Sequence, residues 1–420
     1  MRTLWEVLAR QRDYRLVLSA GLVSLTGDWI LRTGLAFQVY VMTGSTLASG
    51  GLLLASFLPL VLLGSLAGVF VDRWDRRRTM IVTNVLHAVG LLPLLLVHDE
   101  NQLWVIYLVI LAQGCLQQFF RPAEQSLVPL LVEPRQLVTA NSLNSQTNDI
   151  ARLVGAALGG VLAAAGGLPL LALADAATYL VAMGLLLGVR HRPERVVAER
   201  ARGVRSAVRG LRDEWVEGIR ICVGGQAMRL VFVFGLVTGV GEGAMSTLFA
   251  PFVSAELGGD GTAYGLITSS QAVGGIAGGL IAAAAGPRFS AAKLWGFGAV
   301  AFGLIDLVMF LYPLFWDGLT PAFVCMIAVG IPGAFLTAGL MTVIQRLTDD
   351  ASRGRVFGAL FAAEGAALLV GITAAGLLGD VVGIIPVLVA QGLGFFVGGL
   401  VVLSRLGVLS PDASPAEVRL

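Results

Sequence analysis

Charge is scarce in this sequence. Only 13% of its 420 residues are Asp, Glu, Lys or Arg, about half the share carried by soluble domains, which excludes an ordinary water-solvated globule. Lysine is almost missing: Lys293 is the only one, and it follows Ala292 rather than closing a GxxxxGK[ST] phosphate loop. ATP-driven work by a P-loop is therefore excluded. The cysteines, Cys115, Cys222 and Cys325, are too few and too dispersed for a disulfide framework or a CxxC metal site, and read as small apolar packing residues. The three histidines, His87, His98 and His191, share no ligand spacing, so neither a metal nor a cofactor is expected. There is no GxSxG nucleophile elbow and no His-plus-acid cluster, so the chain is not read as an enzyme. Arg2, Arg10, Arg12 and Arg15 precede the first apolar run without a small-residue cleavage site, and a removable signal peptide is not expected.

What the chain has in abundance is apolar surface: 56% hydrophobic residues and a mean hydropathy of +0.82. About 20 apolar residues in helix cross a bilayer. Twelve runs meet that measure: Leu16–Met42, Leu47–Val71, Thr79–Val97, Leu103–Phe120, Val138–Ala165, Leu168–Val189, Leu230–Val253, Tyr264–Ala285, Leu294–Leu311, Ala322–Met341, Val356–Leu378 and Ile384–Leu403. The expected fold is an all-α membrane protein of two six-helix bundles, residues 16–189 and 229–404. Residues 1–15, 190–228 and 405–420 form the N-terminal segment, a linker and a tail. Apart from Arg32 and Arg152, every basic residue falls at the termini or in the even-to-odd connections, so both termini are expected on the cytoplasmic side. In the linker, Val204, Val208, Leu211, Trp215 and Ile219 recur at helical spacing among arginines and acids. They suggest an amphipathic helix on the inner leaflet rather than a nucleic-acid contact.

The halves repeat. GLVSLTGD at Gly21–Asp28 matches GLVTGVGE at Gly235–Glu242, and Leu131–Leu143 corresponds to Leu347–Leu360, in both cases about half the chain apart. Charges inside the spans, each costing at least about 2.5 kcal/mol at mid-membrane, are candidate functional groups. Asp28 and Arg32 lie four apart on one helix face, and Asp149 and Arg152 three apart, so both are expected as intramembrane ion pairs. Glu242 and Glu364 have no basic residue within a helical turn and are expected to be buried carboxyls able to load protons. Asp175 and Asp306 are read as solvated toward the outer ends of their spans, and Arg121 and Glu124 as interfacial. Pro332, between Gly330 and Gly333, marks a possible hinge in the tenth run.

The stretch Gly64–Met80, GSLAGVFVDRWDRRRTM, places Gly68, Asp72, Arg73, Asp75, Arg76 and Arg77 between the second and third runs. It resembles the signature of the major facilitator superfamily, with Asp75 replacing the signature glycine. That variant, with Arg10–Trp29, Phe119–Leu143 and Arg353–Leu360, resembles the exporter branch that includes macrolide and enterobactin efflux proteins. The resemblance implies a cytoplasmic latch in which Asp72 meets the start of the eleventh span beside Arg353 and Arg355. It also implies that ARLVGAALGGVL is a form of the exporters' antiporter motif, with Gly155, Gly159 and Gly160 matching and Ala156 in place of its proline. Because the first and seventh spans line the cavity in that family, Glu242, at the repeat position of Asp28, is ranked first as proton carrier, with Asp28 and Glu364 after it.

The implied activity is proton-coupled antiport of hydrophobic or amphipathic molecules by alternating access. Trp29, Phe37, Gln38, Phe119 and Glu242 are the expected substrate contacts. Import of a small nutrient by proton symport and lipid flipping by the same fold stand as alternatives. The expected setting is a monomer in a bacterial cytoplasmic membrane, its partners being substrate, protons and lipid, with no nucleic acid.

Overall fold

The computed structural model describes residues 10–71, 74–133, 136–190, 217–285, 289–348 and 353–409. Among them there is no strand. In lipid this is what the backbone demands, since a helix satisfies its own N–H and C=O groups where no water can. In chain order the helices are α1 (Arg12–Thr43), α2 (Thr46–Val71), α3 (Arg76–Gly90) and α4 (Leu103–Leu131). The helical run Leu137–Leu187 breaks at Gly167 (φ 59°, ψ −149°), giving α5 (137–166) and α6 (168–187). Then come α7 (Gln226–Pro251), α8 (Gly261–Ala285), α9 (Ala291–Leu311), α10 (Thr320–Leu347), α11 (Arg353–Val382) and α12 (Ile384–Ser404). Among the described residues, nine helical segments, α5 and α6 counted together, are long and apolar enough to cross a bilayer.

Each helix coincides with one of the expected apolar runs, and the differences have local causes. Gly167 separates α5 from α6 without a loop, because only glycine takes that backbone conformation at little cost. Pro93 opens the 3-10 turn Leu92–Leu96, so the third run is α-helix only as far as Gly90. Helix α4 continues past Phe120 through Arg121 and Glu124 to Leu131, since a helix need not be apolar where it leaves lipid. Helix α10 passes through Pro332 as one continuous element.

The chain forms two compact units. The first comprises residues 1–44, 51–200 and 259–269, and the second residues 45–50, 201–258 and 270–420. In the first, α1 packs along α5 and α6, and α3 lies against α4 and the same pair. Its core includes Tyr14, Met80, Phe120 and Leu127, and the fully buried Tyr14 donates its hydroxyl to the Ala140 carbonyl (2.9 Å). In the second, α9 packs on α10 and α12, and α11 and α12 pack on α7. There Trp295 is fully buried, with Phe234 edge-on at 5.1 Å. The expected linker residues Val204, Val208, Leu211 and Trp215 lie outside the described residues, while Ile219 sits on a short helix over 217–224.

Candidate functional site

The first unit holds a cavity of ≈ 390 Å³ lined by α1, α2, α3, α4, α5 and α6 residues. Polar groups dominate one side of it: Asp28, Arg32, Gln113, Gln117, Gln118, Arg121, Asn148 and Tyr179. A second cavity of ≈ 320 Å³ in the same unit shares Asp28, Gln117, Arg121, Asn148 and Tyr179 and adds Glu124 and Asn144. Asp28 therefore borders both. Glu124, half-buried on α4, lies against the α1 backbone, where a Cβ at Gly21 would stand 3.0 Å from its Oε1.

Asp28 does not form the expected contact pair with Arg32. Its carboxylate accepts a hydrogen bond from the Tyr179 hydroxyl, while the Arg32 guanidinium lies over the Trp29 ring, 5.3 Å from its centroid. One helical turn brings the two charges into electrostatic reach, but Asp28 takes a hydroxyl and Arg32 an aromatic face as its contact partner. Tyr179 is 5% exposed and stacks on His87 of α3 at 4.6 Å, with the rings 9° from parallel. His87 Nδ1 meets Gln113 Oε1, and Gln113 Nε2 donates back to the His87 carbonyl (2.9 Å). Thus His87, to which the sequence assigned no role, belongs to the Asp28 network. Asp149 is exposed and Arg152 half-buried, and they form no ion pair with each other.

The second unit holds a cavity of ≈ 280 Å³ with a different character, walled by Phe232, Phe234, Phe302, Phe357, Phe361 and Phe395. Glu242 of α7 and Glu364 of α11 are its two acids. Both are exposed to this open space, which corrects the expectation that they are buried. Glycine neighbours leave a carboxylate on an open helix face as readily as on a packed one, and Glu242 is within electrostatic range of Asp306 on α9. Asp175 and Asp306 correct the opposite expectation. They are 0% and 2% exposed inside their units, not solvated at outer ends.

Of the expected substrate contacts, Trp29 lines the polar cavity and Glu242 the apolar one. Phe37 is 8% exposed and stacks on Tyr264 (6.0 Å), Gln38 lies near Gly167, and Phe119 stacks on Trp74 (5.8 Å). None of these three lines any of the three cavities above. The glycines of α5 serve close packing: a Cβ at Gly155 would fall 2.6 Å from the Thr26 carbonyl oxygen, and one at Gly159 2.5 Å from that of Ile30. A Cβ at Gly160 would overlap the Gly261 carbonyl of α8. Small residues here let helices approach backbone to backbone.

In the loop signature, Asp72 and Arg73 lie outside the described residues, and Gly68 and Arg353 lie within α2 and α11. Asp75 is the N-cap of α3, accepting the Arg78 backbone N–H (2.8 Å), a role the signature glycine cannot fill with a side chain. Arg76 donates to the Ser126 carbonyl (2.9 Å), and Arg77 to those of Leu186 (3.0 Å) and Leu187 (2.8 Å). Arg77 thereby satisfies the open carbonyl end of α6, where a cation also meets the negative end of the helix dipole. Arg355 pairs with Glu217 (3.3 Å).

The model of a family described as transmembrane secretion effector matches residues 5–416. An uncharacterized MFS-type transporter of Bacillus subtilis is 27% identical over 37% of either chain. The macrolide efflux protein A of Streptococcus pyogenes is 29% identical over 33% of this chain and 35% of its own, so both matches span well under two thirds of those relatives. The enterobactin exporter of Citrobacter koseri is 24% identical over 96% of this chain and 94% of its own. Among solved structures, a bacterial homologue of the iron transporter ferroportin, in an inward-facing state, superposes with a TM-score of 0.76 at 15% identity, covering 94% of this chain and 98% of that one.

Proposed function

The chain belongs to the transmembrane secretion effector family of major facilitator transporters, and on that premise we propose that it exports hydrophobic or amphipathic small molecules by proton-coupled antiport. The observation that carries this reading is the placement of Asp28: a carboxylate on a membrane helix, lining two cavities and held by one hydroxyl rather than by a cation. Such a group can exchange its proton with the cavity, and losing or gaining that charge changes the cost of closing apolar walls around it. Glu242 and Glu364 do the same in the aromatic cavity, where a lipophilic substrate finds its apolar contacts and the two acids favour a cationic one. Trp29 adds an aromatic face in the polar cavity. The relatives named as macrolide and enterobactin exporters support the outward direction.

The cycle follows from these parts. Substrate enters from the cytoplasm or inner leaflet, protons from outside load the acids, and neutralisation permits the return step of alternating access. The protein works as a monomer in a bacterial cytoplasmic membrane with both termini inside.

One observation favours a second reading. The glutamines Gln113, Gln117 and Gln118, with Asn148 and Arg121, give the first unit a lining suited to a polar nutrient taken up by proton symport. Inside-out vesicles with an acid lumen separate the two. Exporting antiport accumulates a macrolide, enterobactin or a lipophilic cationic dye in the lumen, and a protonophore abolishes the accumulation. Discharge of preloaded compound under the same gradient would establish symport instead.

A further inference from the structure

The two units repeat an arrangement that the cavities alone do not use. In the first, Gly27 precedes Asp28 on α1, and a Cβ at Gly27 would overlap the Asp175 carboxylate and the Thr178 hydroxyl of α6. In the second, Gly241 precedes Glu242 on α7, and a Cβ there would stand 3.0 Å from Gln391 Cγ of α12. Each glycine–acid pair presents one carboxyl to a cavity and admits a polar side chain of the sixth helix of that half directly behind it. The third helix of each half completes the set. His87 of α3 stacks on Tyr179, and Asp306 of α9 accepts the Gln391 side-chain N–H (2.8 Å).

Near each cavity-facing acid, therefore, lies a second acid sealed from solvent: Asp175, against Gly27 and within electrostatic range of Asp28, and Asp306, bonded to the Gln391 that packs on Gly241 and within electrostatic range of Glu242. Asp175 Oδ2 is buried without a hydrogen-bond partner, and the only donor near Oδ1 is the Thr178 hydroxyl at 3.2 Å, which also reaches the Asp175 backbone carbonyl at 2.7 Å. Asp306 is held by a neutral amide. Among the described residues no cation pairs with either. A buried structural carboxylate is normally paired with a cation, whereas these two have only a neutral amide and a hydroxyl as partners.

We propose that Asp175 and Asp306 form a second row of proton sites, each exchanging one proton with the cavity acid of its own unit, Asp28 or Glu242. The proton leaves one carboxyl and binds the other, with no other bond made or broken. Tyr179, whose hydroxyl binds Asp28 and whose ring covers His87, is the positioning residue of the first pair. The groups acting on Asp175 and its partner are Asp28 and Arg32 from α1, His87 from α3, Arg121 and Glu124 from α4, and Tyr179 on its own helix. Those near Asp306 are Glu242 from α7 and Cys325 from α10, with the uncharged Gln391 from α12. The inference rests on the proton-coupled reading and gives each half its own store, out of reach of substrate.

The test reads protonation directly and so does not depend on the transport reading. Infrared difference spectra of the purified full-length protein between acid and alkaline solutions should contain protonated-carboxyl bands, one lost in Asp175→Asn and another in Asp306→Asn. Thr178→Val and Gln391→Leu leave both acids in place and should each shift one of those bands, which keeps the test decisive if an Asn variant does not fold. In vesicles, each Asn variant should lose proton-driven accumulation by about tenfold or more while substrate counterflow stays within about twofold. Bands unchanged in all four variants would overturn the proposal, as would full proton-driven accumulation in the double Asn variant. Carboxyl bands that behave as expected in a protein without proton-driven transport would uphold the second row and refute only the antiport reading.

Discussion

Asp380, in the last turn of α11, caps the start of α2 within the second unit. Its Oδ1 accepts the Thr46 backbone N–H (2.8 Å) and hydroxyl (2.8 Å), and its Oδ2 the Ser45 hydroxyl (2.9 Å) and, more distantly, the Leu47 N–H (3.4 Å). Negative charge at a helix N-terminus is also favourable to the dipole. Asp380→Ala removes all of these. Loss of an N-cap side chain costs about 1 kcal/mol, within a range of about 0.5–2, and the remaining bonds add little because the carboxylate is exposed and screened. A cost of about 1–2 kcal/mol corresponds to about 2–8 °C in Tm for a unit of this size. The buried thiols of Cys222 and Cys325, both in the second unit, make the assay direct, since a thiol-reactive dye labels them on unfolding. Asp380→Asn, which caps nearly as well, should recover most of the loss. An Asp380→Ala protein that melts with the wild type would refute the reasoning.

Asp75→Ala should cost about 1 kcal/mol through the lost α3 cap, whereas Asp75→Gly, which restores the signature residue, should cost only a few tenths; thermal unfolding of both variants checks the order. Gly159→Leu should destabilise by at least about 1–3 kcal/mol, because even its Cβ would stand 2.5 Å from the Ile30 carbonyl oxygen; wild-type stability would show that α1 and α5 are not in close contact. Arg32→Gln should lower the Tm by the worth of its contact with Trp29, about 0.5–2 kcal/mol, and Trp29→Leu should add little to it in the double variant.

The helices were legible because lipid leaves one solution to the backbone, so length and hydropathy sufficed to place each run. The polar interior was not. Asp28 was recognised as a functional group, but its partner was assigned by spacing along α1, whereas Tyr179 reaches it from α6. Spacing within one helix cannot register a side chain arriving from another. Asp175 and Asp306 look like the other isolated acids in the sequence, and only packing distinguishes them from the cavity-facing Glu242 and Glu364. A signal existed in the repeat: the glycine before Asp28 and the glycine before Glu242 both mark where a side chain must enter. Position along the spans suggests Phe37 and Phe119 as cavity residues, yet both stack on other aromatic rings, and an aromatic side chain gives no sequence cue to choose between cavity and core.

The account depends above all on Asp28 exchanging a proton with its cavity in step with substrate. Purified protein in weakly buffered detergent solution, with a pH indicator, measures this when the compound accumulated most strongly by the vesicles is added. Binding should release protons from the wild type, and Asp28→Asn should still bind the compound while releasing measurably fewer. Equal release from both proteins, or none from the wild type, would contradict the account.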